Sequence, residues 1–487
     1  MATLSPSKLI VLFLLGAVAA IGASAQTFKV LAQFNGQNGA EPSSAVSQGP
    51  DGRLYGTTTR GTLLSNDLGT IFAMDASGNL TTLVNFSDAL LLNFSDGFFG
   101  ATDYSPLLLA PNGALLGAGG NVFYEVTSDQ KFKVIHRGLG VSEGSIVEGV
   151  DGSIYGAETN GGDGDCGGSN CGAGYKIDPQ GHYHLLVNFG VGNDISHPAG
   201  LALGIDGNFY GITTSLGHGG AGQAFRMTPS GSLTMLYNFC SQQNCADGAD
   251  PWSLIQGSDG NLYGVTFDGG NASRVCNGFG YSASCGTVFG LSLSGEYTVL
   301  HAFCAETQYY CPDGSTPVWL IEGSDGALYG VTRSDGSATC YCGTIFRVTK
   351  DGHFTTLYQF QAGDGAFPVG LTQATSGLFY GVQYLGPESE CEDGATNCGI
   401  IYSFDAGLAP FVRMVRDFGR LDQSDSIIGQ GFTGATAVAF NGTPATFTVI
   451  SDTFLTTNVP QGATTGYVTV TTPTGVLKSN VPFRVIR

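Results

Sequence analysis

The stretch Gly257-Ser258-Asp259-Gly260-Asn261-Leu262-Tyr263-Gly264-Val265-Thr266 decides how this chain folds. An Asp-Gly turn runs straight into an apolar residue, a tyrosine, a glycine and a β-branched pair. Glycine reaches positive φ without a Cβ clash, and aspartate steadies a turn with its own side chain. Near-copies begin at Asp51, Asp151, Asp206 and Asp325, and weaker ones at Asn112 and Ser376. Leu116 replaces the tyrosine in the Asn112 copy, and the Ser376 copy lacks the aspartate. The spacing averages about 54 residues, slightly above the usual range for four-stranded repeats.

Aligning the copies reveals the rest of the unit. A strand ending in Leu-x-x-Phe comes first, as in Leu236-Tyr237-Asn238-Phe239 and Leu357-Tyr358-Gln359-Phe360. An Asp/Asn-Gly-Ala/Ser-x-Pro loop follows, at Asn38–Pro42, Asp247–Pro251, Asp313–Pro317 and Asp364–Pro368. After a short strand and the Asp-Gly turn comes the Leu-Tyr-Gly strand. A variable loop then leads to Gly-x-x-Phe, as in Gly286-Thr287-Val288-Phe289. Four short strands per unit, some apolar on both faces, need cover on both sides, and radial stacking of small sheets supplies it. The expected fold class is all-β: a seven-bladed β-propeller of about 54-residue, four-stranded repeats, followed by a small immunoglobulin-like β-sandwich. Either Phe28–Phe34 or Phe411–Phe418 can supply the closing strand. Pro410 disfavours the second, since proline weakens entry to a strand.

The expected division is a signal peptide at 1–25, the propeller at 26–418 and the sandwich at 419–487. Lys8, the apolar run Leu9–Ala20 and Ala23-Ser24-Ala25 carry the signal pattern. The apolar run is short for a membrane span, and nothing else could cross a bilayer. Beyond Gly419 the repeat motif and the cysteines disappear, and Asn441-Gly442 between alternating strands marks a hairpin.

The 487 residues carry a formal charge of −20 with only 12% charged residues. Such a chain repels nucleic acid and anionic lipid, so neither nucleic acid nor membrane insertion is expected. Twelve cysteines fall into close neighbours: Cys166 and Cys171, Cys240 and Cys245, Cys276 and Cys285, Cys304 and Cys311, Cys340 and Cys342, Cys391 and Cys398. An even, locally paired set in an exported chain reads as disulfides, with metal binding as the competing reading.

The repeated Gly-Ser-Asp-Gly-x-Leu-Tyr-Gly-Val-Thr, Gly-Thr-x-Phe and Leu-Tyr-x-Phe pieces resemble the bacterial GloVer (Gloeo/Verruco) tandem repeat over about residues 27–410. That resemblance implies an exported protein without an established activity. The tail, at Ile428-Gly429-Gln430-Gly431-Phe432, Val438–Ala445 and Gly466–Pro473, resembles an IPT/TIG domain. The resemblance implies a spacer or interaction module.

Candidate chemistry is sparse. Asp51, Asp151, Asp206, Asp259 and Asp325 could form a ring of oxygen ligands, but a turn-forming role explains the same pattern. Asp163-Gly164-Asp165 has a calcium loop's oxygen density without the later glutamate. His182 and His184 share one face of a strand, as a metal pair would. However, His353 and Thr355 fill those slots in another unit. Glu148, Glu322 and Glu388 are acids without distinguishing context. No hydrolase elbow, zinc-protease helix or phosphate loop occurs. The expectation is therefore a secreted or cell-surface, non-enzymatic binding or scaffold protein for a glycan or protein. It has no predicted cofactor or catalytic residue, and any metal is left open. The alternative is an extracellular polysaccharide hydrolase or lyase using carboxylates on one face of the ring.

Overall fold

The computed structural model describes residues 26–61, 69–86, 105–119, 122–139, 145–163, 170–191, 195–214, 220–270, 285–305, 311–337, 339–387 and 398–486. Within them the chain is a β-propeller: seven antiparallel sheets follow one another around a ring. Blade five is typical, with strands Ala249–Gln256, Leu262–Asp268, Thr287–Leu291 and Tyr297–Ala302 in that order. The first strands of successive blades pack on one another and line the central channel.

The Leu-x-x-Phe strand, which opens the sequence repeat, is the last strand of each sheet. Repeat and blade are therefore offset by one strand, and that offset closes the ring. Thr27–Gln33, nearest the amino end, pairs antiparallel with Ile400–Asp405 and completes blade seven. Phe28 lands against Tyr358, Phe360 and Tyr402, with centroids 4.8, 5.6 and 5.2 Å away.

Blades adhere through shared apolar layers. Tyr263 and Val265 of blade five join Leu320, Leu328 and Phe346 of blade six in one buried cluster. Two glycines make this packing possible. Gly260 turns the chain at φ +87°, while a Cβ on Gly264 would come within 2.4 Å of the Phe289 ring. The glycine of Leu-Tyr-Gly thus makes room for the phenylalanine of Gly-Thr-x-Phe. The recurring threonines lock the same two strands, with Thr266 and Thr287 hydroxyls 2.9 Å apart.

The C-terminal unit is built from two four-stranded sheets over their own core of Val412, Met414, Phe432, Phe440, Leu455 and Phe483. Its first strand is Arg413–Met414, paired with Ser424–Ile428. The division expected at 418/419 thus falls inside this unit, because Val412 and Met414 are already core residues. The unit sits against the ring's lower face. Ile428 and Phe454 enter the same apolar cluster as Tyr55 and Leu109 of the first two blades. Ser426 donates to the Pro111 carbonyl at 2.7 Å, Thr453 to Pro50 at 2.7 Å and Arg484 to Gly204 at 3.1 Å. The C-terminal unit thus covers the lower face.

Candidate functional site

Alternation of strand direction sends each connection to a fixed end. The Asp-Gly turns lie below, while the second-to-third and fourth-to-first connections lie above. At the lower turns, each motif aspartate has two tasks. Asp259 accepts the Asn261 N–H at 3.3 Å with one oxygen and the Tyr263 hydroxyl at 2.7 Å with the other. Asp51, Asp151, Asp206 and Asp325 hold Tyr55, Tyr155, Tyr210 and Tyr329 in the same way, at 2.8, 3.0, 2.8 and 3.2 Å. Each carboxylate holds the tyrosine of its own blade, with Asp259 also 3.4 Å from Lys350 of the next blade, so the five do not converge on one point.

The upper connections hold every described cysteine. Cys240–Cys245, Cys304–Cys311 and Cys340–Cys342 are disulfide-bonded. Cys171, Cys285 and Cys398 are disulfide-bonded as well, but Cys166, Cys276 and Cys391 lie outside the described residues. The Cys171 and Cys285 carbonyls accept the N–H of His197 and Thr316 in the next blade, at 2.7 and 2.8 Å. These acceptors matter because His197 and Thr316 are strained. Glu41, His197, Asp250, Thr316 and Phe367 all have φ between 52° and 58°, and each directly precedes a proline. Left-handed backbone is rare for such residues, and a following proline restricts them further. Five blades therefore hold the residue before the loop proline in the same costly conformation around the upper mouth, four of them as the "x" of Gly-Ala/Ser-x-Pro and the fifth as His197 after Ile195-Ser196. Strain repeated at one place is a feature of ligand sites.

The mouth opens into a cavity of about 430 Å³ lined from five blades, with Glu41, Thr59, Trp252, Trp319, Arg333 and Tyr384 among its walls. Both tryptophans of the chain are there. Trp319 is fixed, donating its indole N–H to the Leu371 carbonyl of the next blade at 3.0 Å. Trp252 is 42% exposed and rests on Phe267, with ring centroids 5.3 Å apart. Its indole N–H makes no hydrogen bond among the described residues. Arg333 lies over the Phe367 ring at 5.6 Å. Glu41 pairs with Arg60 at 3.3 Å and faces the Thr59 hydroxyl at 3.3 Å. Next to Phe267 in the chain, burial and the neighbouring Asp250 carboxylate raise the Asp268 carboxyl to about 6. An aromatic platform, a guanidinium and the Glu41 carboxyl group thus share one mouth.

The other sequence candidates serve elsewhere. His182 and His184 both bond one Asp178 oxygen, at 3.1 and 2.9 Å, on a solvent-facing strand. Glu322 reaches across to blade five, meeting the Ser258 N–H at 2.7 Å and Lys350 at 2.9 Å. Glu148 pairs with Arg416 of the C-terminal unit at 3.2 Å. Asp163 is described, but Asp165 and Glu388 lie outside the described residues. Among the described residues, Cys285, Cys304 and Cys311 form the one compact group of metal-ligand type, and all three are in disulfides.

The mouth residues were missed from sequence, although a signal exists. In Thr58-Thr59, Thr213-Thr214, Thr266-Phe267, Thr332-Arg333 and Gln383-Tyr384 a mostly recurring residue precedes a changing one. The first faces the sheet's packed interior, and at Thr59, Thr214, Arg333 and Tyr384 the second faces the cavity.

A family model describing the Gloeobacter/Verrucomicrobia repeat matches residues 141–391 and 247–445. The chain belongs to the Gloeobacter/Verrucomicrobia repeat family. No curated protein matches it by sequence. Among solved structures it is similar to a streptogramin B lyase, at 17% identity and a TM-score of 0.51, covering 78% of this chain and 97% of that one. Virginiamycin B lyase from Staphylococcus aureus, solved with quinupristin, is similar at 16% identity and 0.51, covering 78% and 99%. A fungal alcohol oxidase of the AA5 family, solved with copper, is similar at 13% identity and 0.51, covering 95% and 100%. At such identities the likeness concerns the ring architecture. The mouth of this Gloeobacter/Verrucomicrobia repeat protein has to be read from its own residues. Among the described residues, no helix is long and apolar enough to cross a membrane.

Proposed function

We propose that this is an exported, non-enzymatic binding protein that takes a glycan chain or its end into the upper mouth of the ring. The carrying observation is Trp252, an exposed indole with an unused N–H, set among Trp319, Tyr384, Arg333 and Glu41 around one cavity. An indole face accepts the C–H face of a sugar ring, while the guanidinium and carboxylate bond its hydroxyls. Pockets of this size with a few convergent polar groups are the usual form of small-ligand sites. Disulfides in the upper connections suit an oxidising compartment. On this reading the C-terminal unit, of the IPT/TIG immunoglobulin-like kind, is the footing that keeps the mouth facing outward.

The test uses the chain's own reporters, since both tryptophans line the cavity. A panel of neutral and acidic oligosaccharides is titrated while intrinsic fluorescence is followed, with product analysis on the same samples. A saturable change that Trp252→Ala abolishes, with no product formed, supports the reading. No response across the panel rejects a glycan ligand.

A second reading, polysaccharide cleavage, rests on the Asp250–Asp268 pair. A carboxyl held near 6 can donate or accept a proton at neutral pH. Product that accumulates with the parent chain and disappears with Asp268→Asn would favour this reading over the first.

A further inference from the structure

Between the ring's lower mouth and the C-terminal unit lies a second cavity, of about 530 Å³. It is independent of the upper mouth. Leu201, Leu203, Ile205, Leu254 and Ile255 of the ring and Val415 of the C-terminal unit give it apolar walls. Ile205, otherwise an exposed apolar side chain, is one of these walls.

Strand alternation turns one cation into this space. Val412 and Met414 point into the C-terminal core, so Arg413 between them points the other way, toward the ring. The remaining charges have partners. Arg416 pairs with Glu148 at 3.2 Å and lies 3.8 Å from Asp425. Arg484 donates to the Gly204 carbonyl and shares the field of Asp417. Arg413 has no such partner: among the described residues no carboxylate or carbonyl takes up its guanidinium. Its side chain is partly exposed to the cavity, and desolvation lowers its pKa to about 10. A guanidinium without a protein partner at the wall of an apolar cavity is free to take an acceptor from a ligand.

We propose that this lower cavity is a binding site for a small amphiphilic anion, its carboxylate or sulfate ester held by Arg413 and its hydrocarbon body by the apolar walls. A planar guanidinium offers paired donors to such a group. The site is formed only when the C-terminal unit is docked, so its ligand also joins the two units together.

The experiment is calorimetric titration of the full chain with octanoate, octan-1-ol and inorganic sulfate. The expected result is octanoate binding at least tenfold tighter than octan-1-ol or sulfate. Arg413→Met should lose at least tenfold toward octanoate and little toward octan-1-ol, whereas Trp252→Ala should change neither. Equal affinity for octanoate and octan-1-ol, or unchanged octanoate binding in Arg413→Met, overturns the assignment of the anion site. Sulfate binding as tightly as octanoate overturns the role of the apolar walls. Should Arg413→Met fail to fold, the parent chain's preference between octanoate and octan-1-ol decides by itself.

Discussion

Tyr263 reaches back four residues and donates its hydroxyl to the Asp259 carboxylate at 2.7 Å, so the turn and the strand of the repeat are one hydrogen-bonded device. The device explains how one of the weaker copies varies. Where Asn112 stands in place of the aspartate, Leu116 stands in place of the tyrosine, and both halves of the bond are gone together. Tyr263→Phe should lower stability by about 1.5–3 kcal/mol, the range for a hydrogen bond to a charged group. A double-mutant cycle with Asp259→Ala should show coupling on the order of 1 kcal/mol. Urea midpoints measure both, and additive effects would show that the pair does not act as a unit.

Ring closure by Thr27–Gln33 makes the amino-terminal strand a structural necessity. Phe28→Ala removes ring contacts with Tyr358, Phe360 and Tyr402 and should cost about 3 kcal/mol. Limited proteolysis of that variant should then release fragments beginning within blade seven, whose last strand has loosened.

Stability should depend on pH through Asp425. Burial raises its carboxyl to about 7 despite Arg416 nearby, with Glu148 also pressing it upward. Because the folded value exceeds the unfolded one, the folded state holds the proton more tightly. The favourable contribution is complete below about pH 4 and is lost as pH rises to about 7, at up to about 1.4 kcal/mol per unit. Asp425→Asn should flatten that decline and match or exceed the parent above pH 7. Denaturation midpoints from pH 4 to pH 8 will show whether the slope changes.

The disulfide joining Cys304 to Cys311 closes a short connection at the upper face. Replacing both by serine should cost roughly 2–3 kcal/mol on the chain-entropy model. Ligand response at the mouth should weaken with it, because Thr316 hangs from the adjacent Cys285 carbonyl. Thermal midpoints and tryptophan fluorescence report the two effects separately.

Much of the architecture was legible in the chain because it is written seven times. Asp-Gly, Leu-Tyr-Gly and Gly-x-x-Phe recur in order, and each is a local requirement of turn geometry, strand alternation or close packing. The Gly264–Phe289 fit couples two motifs about two dozen residues apart, yet its recurrence made both visible. The upper mouth was not legible, because Thr59, Trp252, Trp319, Arg333 and Tyr384 differ from unit to unit. Only the ring's curvature brings them around one cavity.

The amino-acid sequence by itself determined the small sheets and their turns, since those depend on neighbours within a few residues or on the adjoining blade. Tertiary structure alone decided that the repeat is offset from the blade, that the C-terminal unit covers the lower face, and that Arg413 stands uncompensated in the space between. Those outcomes depend on which surfaces meet across hundreds of residues, and no local pattern of side chains encodes such a meeting.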